Sequence, residues 1–480
     1  MSIFTEEQIL ELLRQSNPWW QDGRMTRDLP PIYRAAYREV LDTVTAGDVR
    51  RFAVLSGARR VGKTTVLLQV ARTLLERGVP PENILYVSFD DPILKLSGFG
   101  QVLETYRSYI PHTGVHYFLL DEVQYAEEWT LWVKRLYDRE PDLRLAATGS
   151  ASPSIEKGAS DSGVGRWRVF RMPTLTFSEY CAVAGVENLP MQLPAPEELP
   201  ALEPAAYSAL MMRLAFLQPY WNRYLVQGGF PELVKLQDPA RAQLLLREDV
   251  VDKVLKRDVP ALFDVRNSVY LEKIYLYLCL KSGNIINYAE MSKALGVTKP
   301  TLSRYIDYLR DANLIYISHS VLTTGKKGLS AQPKIYIADA ALRNASLMIS
   351  NPLSDSTDMG MMAETAVYKH FQNAYGALAR VGYLRAGGKM KEVDVAVDFF
   401  PRNKLILCEA KYRNNSELSR DDALPTLCRE GRAAAAFVAT KSANDFGITP
   451  CPGGRGTPIV RIPAFALCYL LTPNCQQIAL

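Results

Sequence analysis

The chain alternates two kinds of apolar pattern. Short runs are apolar at nearly every position: the stretch ending Val54–Ser56, then Ile84–Phe89 (ILYVSF), Tyr117–Leu120 (YFLL), Leu143–Ala147 (LRLAA) and Trp167–Met172 (WRVFRM). Between most of them lie longer segments with apolar residues at helical spacing, such as Thr65–Glu76 (TVLLQVARTLLE). Continuous apolar runs read as buried strands, and strands alternating with helices build a parallel sheet covered on both faces. The first half is therefore expected to be α/β, with any ligand at the carboxyl ends of the strands.

Beyond residue 180 the pattern changes. Residues 185–205 hold five prolines among acidic residues and read as a linker. Leu214–Val259 has helical spacing, interrupted at Gly228-Gly229-Phe230-Pro231, a tight turn opening a helix at Pro231. Asn287–Ser318 predicts a helix over Tyr288–Leu295 stopped by Gly296, and a second from about Thr298 with Pro300 in its first turn. A strand (LIYIS), a basic glycine turn at Thr323–Gly328 and a return strand (KIYIA) follow, the order of a winged helix-turn-helix. From about residue 360 a helical pattern (GMMAETAVYKHF) precedes two strands, in GGKMKEVDVAVDF and KLILCEAKY. The expected domains are an N-terminal helical segment (1–30), the sheet core (31–180), a linker and helical lid (181–260), a winged helix (261–345) and a second α/β domain (346–480).

Composition narrows the class. A chain of 480 residues exceeds what one hydrophobic core organises, so two to four domains are expected. Hydrophobic content of 48% with 22% charged residues is that of a globular protein in water. No apolar run reaches the ~18–20 residues of a membrane span, and the N-terminus (MSIFTEEQILELLRQ) is acidic and helical, not a signal peptide. A cytoplasmic setting without a membrane partner follows as the expectation. Seven cysteines and four histidines are scattered with no C-x-x-C pair, which argues against a zinc site or disulfide framework and for buried thiols. A net charge of +5 permits nucleic-acid binding without demanding it.

The chemistry concentrates at strand ends. Gly57-Ala58-Arg59-Arg60-Val61-Gly62-Lys63-Thr64 fits G-x-x-x-x-G-K-[ST], and Thr65 continues it into a helix. Glycines let the backbone curl its N–H groups toward phosphate oxygens, and the helix N-terminus adds positive potential. Gly57, Arg60, Gly62, Lys63, Thr64 and Thr65 are thus the expected ATP contacts, with Lys63 on the β/γ-phosphates and Thr64 on Mg²⁺. The strand in HYFLLDEVQ ends in Asp121-Glu122, the form of a Walker B pair: Asp121 holds Mg²⁺ through water and Glu122 deprotonates the attacking water. In ATGSAS, Thr148 and Ser150 stand where a polar γ-phosphate sensor is expected when an extra strand separates the two Walker strands. Arg166 follows a glycine-rich loop as a candidate arginine finger donated to a neighbouring copy, which implies a homo-oligomer, and Arg168 and Arg171 compete with it.

The combination GARRVGKTT, ILYVSFDD, LLDEVQ, ATGSA, PTLTFSEY, YLVQGGFPELV, KIYIADAAL and CEAKY resembles the prokaryotic AAA-type ATPases that carry a C-terminal domain of uncharacterised function. The resemblance spans nearly the whole chain. It implies that the family's ATPase motifs fall on Gly57–Thr65, Asp121–Glu122 and Thr148–Ser150.

Two further constellations bear on DNA. In the winged helix the second helix would enter the major groove and the wing would lie on phosphates, giving Lys299, Ser303, Arg304, Lys326 and Lys327 as contacts. The same motif also serves for protein contact. Near the C-terminus, Glu364, Asp394, Glu409 and Lys411 resemble the PD-(D/E)-x-K nuclease core, with Val393 where that pattern has proline. There carboxylates hold Mg²⁺ and the lysine assists the nucleophile. Such folds also persist as binding modules, so cleavage and binding are both open on sequence alone. The function expected is a Mg²⁺-dependent, DNA-associated ATPase whose cycle drives or gates the later modules. The alternatives are a nucleotide-switched nuclease and an ATP-dependent recruitment switch for a protein partner the sequence does not name.

Overall fold

The computed structural model describes residues 4–150, 165–263, 265, 267–321, 331–386, 391–399 and 404–472. The described residues divide into two compact units, the first running through Pro173 and including Asp311–Asn313, the second comprising the others from Thr174 on.

The first unit is built on five parallel strands: β1 (Phe52–Ser56), β2 (Ile84–Ser88), β3 (His116–Asp121), β4 (Leu143–Gly149) and β5 (Trp167–Arg171). Their order is β2-β3-β4-β1-β5, so β4 lies between the strands that end in the P-loop sequence and in Asp121. Helices Ala35–Thr45, Lys63–Glu76, Pro92–Tyr109 and Trp129–Arg139 accompany the sheet, and Pro92–Tyr109 is kinked at Gly98. The runs of β1–β4 that read as continuously apolar are the buried ones, because these strands are covered on both faces, whereas the edge strand β5 exposes Arg168 and Arg171.

The N-terminal segment has a defined task. Helix Glu6–Ser16 starts in a capping box made by Thr5 and Gln8, and buries Ile9, Leu10 and Leu13. Beyond it the Asn17 amide donates to Tyr86 O at 2.8 Å and accepts the Tyr86 N–H at 2.6 Å, while Trp19 Nε1 donates to Ile84 O at 3.0 Å. An edge strand offers unpaired N–H and C=O groups, and here side chains satisfy those of β2.

The second unit contains two sheets. The antiparallel pair β6 (Ile315–Ser318) and β7 (Lys334–Ile337) follows helices Tyr288–Leu295 and Lys299–Asp311. The other sheet comprises β8 (Arg380–Ala386), β9 (Lys391–Phe399), β10 (Lys404–Lys411), β11 (Ala433–Thr440), β12 (Gly447–Thr449) and β13 (Ile459–Pro463), in the order β12-β13-β11-β10-β9-β8. Neighbours β8, β9 and β10 are antiparallel, and β10, β11 and β13 are parallel. Along β10, Ile406 and Cys408 join the core under helix Ser356–Tyr375, while Leu405 and Leu407 join the core with Leu424 and Leu427 of helix Ala423–Arg429. This is the period-2 alternation of a strand buried on both sides.

One core runs from Leu175 and Trp221 through Tyr336 and Phe371 to Phe465. The proline-rich stretch expected as a linker makes a 3₁₀ turn at Pro196–Ala201 whose Leu199 is fully buried in that core. Under it lies a polar knot. Asp339, fully desolvated, accepts from Thr174 Oγ1 at 2.7 Å, Lys369 Nζ at 2.9 Å and the Gly229 N–H at 3.2 Å. A Cβ on Gly229 would run into the Leu175 backbone, which is why the GG turn is needed there. Four landmarks far apart in sequence, PTLTF, QGGF, IADAA and VYKHF, meet at this one place.

Candidate functional site

Ser56 ends β1 and the chain turns at Gly57, where a Cβ would collide with the Met172 carbonyl oxygen. Arg60 and Gly62 both have left-handed φ angles, 60° and 97°, so the loop curls back before the helix starting at Lys63. Gly62 brings no side-chain cap to that helix, whose first-turn N–H groups are therefore suited to an anion.

The side chains converge. Lys63 Nζ donates to Gly57 O and Ala58 O, each at 3.0 Å, and lies 3.7 Å from Glu122 Oε1. Thr64 Oγ1 donates to Asp121 Oδ2 at 2.7 Å, and Thr148 Oγ1 donates to Asp121 Oδ1. Thr148 also accepts the Glu122 N–H at 3.1 Å, so the middle strand links both acids. Gln124 Nε2 donates to Glu122 Oε2 and to Ser150 Oγ, the latter at 3.0 Å. Arg60 is exposed and Thr65 half-buried at the loop's end.

Burial acts on both acids alike, and their charged and hydrogen-bonding neighbours set them apart. Desolvation pushes Asp121 above the usual carboxylate range, and the adjacent Glu122 charge adds to this against the Thr148 and Thr64 hydrogen bonds. Burial acts the same way on Glu122, but the Lys63 charge and the Gln124 hydrogen bond outweigh it and hold this carboxyl low. Thr64 and Asp121 form an all-oxygen donor pair of the kind Mg²⁺ takes, with most ligands left to water and phosphate. Tyr86, whose hydroxyl donates to Asp121 Oδ2 at 3.1 Å, and Gln124 were not legible as site residues. Tyr86 reads only as one more apolar strand position.

The three arginines are spread along β5. Arg166 precedes the strand at its amino end, where its carbonyl accepts the Phe52 N–H, and its guanidinium pairs with Asp138 at 2.9 Å. Arg168 stacks over Phe170 at 4.8 Å. Arg171 is in register with Ser56, level with the P-loop.

In the second unit, Lys299, Ser303 and Arg304 are exposed on helix Lys299–Asp311, while Leu302, Ile306 and Leu309 are buried. Lys326 and Lys327 lie outside the described residues.

Glu364, Asp394, Glu409 and Lys411 also draw together. Helix Ser356–Tyr375 starts earlier than its pattern suggested, so Glu364 sits mid-helix rather than near the start. Glu409 and Lys411 share a face and pair at 2.8 Å. Glu409 Oε2 is buried without a hydrogen-bond partner. Burial raises both Glu364 and Glu409, and the Asp394 charge raises them further. The residue not anticipated is Lys334, the first of β7. It is 2% exposed and forms ion pairs with Glu392, Asp394 and Glu364. Among the described residues no three His, Cys, Asp or Glu side chains are grouped to hold a metal ion. Every described cysteine is buried and unpaired, and no described helix is long and apolar enough to cross a membrane.

Residues 49–181 match the family model of the AAA domain, and residues 218–353 match a domain of unknown function (DUF8612). An uncharacterized protein of Haemophilus influenzae is 25% identical over 300 residues, covering 60% of this chain and 68% of the relative. The uncharacterized protein MJ1544 of Methanocaldococcus jannaschii is 23% identical over 376 residues, 77% of each chain. Among solved structures, the Aeropyrum pernix ORC1 protein in complex with DNA aligns at 14% identity and a TM-score of 0.29, covering 67% of this chain and 94% of that one. The Thermotoga maritima RuvB Holliday junction branch migration motor aligns at 18% identity and a TM-score of 0.28, covering 60% and 90%. Scores of this size fall short of a common overall fold.

Proposed function

From the premise that residues 49–181 form an AAA-type P-loop ATPase domain, we propose that this protein hydrolyses ATP with Mg²⁺ and uses the cycle to drive or gate DNA binding by its second unit. The observation that carries this reading is the convergence of Lys63, Thr64, Asp121, Glu122 and Thr148 at the carboxyl ends of β1, β3 and β4. Lys63 would exchange its loop carbonyls for phosphate oxygens. Thr64 and Asp121 would hold Mg²⁺, which when bound neutralises phosphate charge. Glu122, kept ionised by Lys63, is able to take a proton from water, and Gln124 holds its carboxylate in place. Thr148 and Ser150 would report the state of the γ-phosphate.

Arg166 is assigned to the nucleotide of a neighbouring copy, which makes the active form a homo-oligomer. Its support is its place at the amino end of β5, the end opposite its own P-loop. Residues 31–180 would then be the ATPase core, 181–260 the lid, 261–345 a winged helix and 346–480 a nuclease-like domain. The two helices with exposed Lys299, Ser303 and Arg304, followed by an antiparallel pair, favour the DNA-reading assignment.

ATP turnover with and without linear, branched and single-stranded DNA tests the whole reading. Stimulation by DNA supports it. Nicking of the DNA would make the protein a nucleotide-switched nuclease, and indifference to every DNA form would make it a recruitment switch.

A further inference from the structure

Three carboxylates converge on the ammonium of Lys334: Glu392 Oε1 at 2.8 Å, Asp394 Oδ1 at 3.0 Å and Glu364 Oε1 at 3.5 Å. Two acids come from β9 and one from helix Ser356–Tyr375, so the lysine ties strand and helix together. The acids have further partners, while Glu409 Oε2 beside them is buried without a hydrogen-bond partner. Asp394 Oδ2 accepts the Ala410 N–H at 2.9 Å, and Glu364 Oε1 also accepts the Tyr336 hydroxyl at 2.9 Å. Glu409 Oε1 is on Lys411.

Lys334 is delivered by a hairpin that is itself fastened to the larger sheet. Val321 N donates to Tyr383 O at 3.0 Å, Tyr383 N donates to His319 O at 3.1 Å, and Tyr383 OH donates to Gln332 O at 2.6 Å. Buried carboxylates repel one another unless a cation stands between them. A divalent ion supplies that charge in a metal site. Here a tethered ammonium supplies it at hydrogen-bond distances.

We propose that Lys334 is the resident cation of this acid cluster: it holds the β6–β7 hairpin on the C-terminal sheet and stands in for the Mg²⁺ of a nuclease-like site, so the wild-type domain neither binds a divalent ion there nor cuts DNA. The proposal rests on the nuclease-like reading of residues 346–480 for the fold and departs from it on the metal.

The test is a Mn²⁺ titration of nucleotide-free full-length protein, with melting curves in EDTA and in Mn²⁺. Wild type and Asp394→Asn should take up the same Mn²⁺. Lys334→Gln should melt lower by about 5 °C or more in EDTA. Mn²⁺ should restore it, and restoration should vanish in the Lys334→Gln, Asp394→Asn double variant. Lys334→Arg, which keeps the charge, should melt closer to wild type than Lys334→Gln does. Wild-type Mn²⁺ uptake or Mg²⁺-dependent DNA cleavage that is lost in Asp394→Asn overturns the proposal. So does a Lys334→Gln protein that melts like wild type or ignores Mn²⁺. Where Lys334→Gln fails to fold, the wild-type and Asp394→Asn titrations decide by themselves. ATP turnover of the same preparations reports on the first unit, so a failure here is distinguishable from a failure of the ATPase reading.

Discussion

Lys63 and Lys334 are both buried lysines beside carboxylates, yet their surroundings differ in kind. Lys63 bonds two carbonyls of its own loop and reaches Glu122 only at 3.7 Å, while the oxygens of Asp121 rest on the hydroxyls of Thr64, Thr148 and Tyr86. Hydroxyls rotate and can donate or accept, so that grouping can change partners at little cost. Lys334 faces three carboxylates in a desolvated place, and leaving them would strand buried charge. Lys369 on Asp339 is a second case of the fixed type. The same residue types are thus exchangeable in one unit and locked in the other.

The comparison breaks most visibly at the first site. Lys63→Ala and Glu122→Gln should each cut ATP turnover by about 10²–10⁴-fold, measured as phosphate release. Glu122→Gln should still bind ATP, and neither should lower the melting temperature as a fixed-type variant does. Wild-type turnover by Glu122→Gln would remove its assignment as base.

The fixed type should fail in stability instead. Lys369→Met leaves Asp339 charged and buried, a loss of about 3–5 kcal/mol in denaturant unfolding of the second unit. ATP hydrolysis measured where the protein is still folded should be retained. A loss under 1 kcal/mol (order of magnitude) would place Lys369 among the exchangeable lysines.

A pH series sharpens the same point. Burial, with the Lys369 charge, holds His370 down to about 3, and its ring accepts the Phe177 N–H at 2.8 Å as a neutral imidazole. A depressed pKa means that the unfolded chain binds the extra proton. The His370 contribution is therefore complete above pH ~6.5 and is lost as pH falls toward 3, by about 1.4 kcal/mol per pH unit. Asp339, held low by Lys369 against its burial, adds a loss only below the ordinary aspartate range. Replacing His370 with Gln should remove this contribution from the slope between pH 6.5 and 4, leaving that of His319, also held low by burial, and the opposing one of Glu364 and Glu409, whose carboxyls burial raises. An unaltered slope would assign the acid sensitivity elsewhere.

The smallest effect is expected at the exposed helix. Lys299→Ala with Arg304→Ala should weaken DNA binding and reduce its log–log salt slope by up to about two units, if both side chains touch phosphate. A slope equal to wild type would turn this face toward a protein partner.

Much of the first unit was legible because its information is local. All five strands lie within a few residues of where apolar runs predicted them, and the P-loop is one contiguous turn whose glycines carry its geometry. The insertion of β4 between the Walker strands was anticipated from ATGSA and is borne out by the strand order. Tertiary structure alone decided the rest. Arg166 and Arg171 are five residues apart in sequence but at opposite ends of one strand, which no motif states. Lys334 reads as the polar flank of an apolar strand, and only the packing of β7 against β9 and helix Ser356–Tyr375 makes it the centre of an acid cluster. Thr174, Gly229, Asp339 and Lys369 are each unremarkable in their own segments. A turn writes its chemistry into neighbouring residues, whereas a buried charge acquires its meaning from whatever distant charge the fold brings to within hydrogen-bond reach.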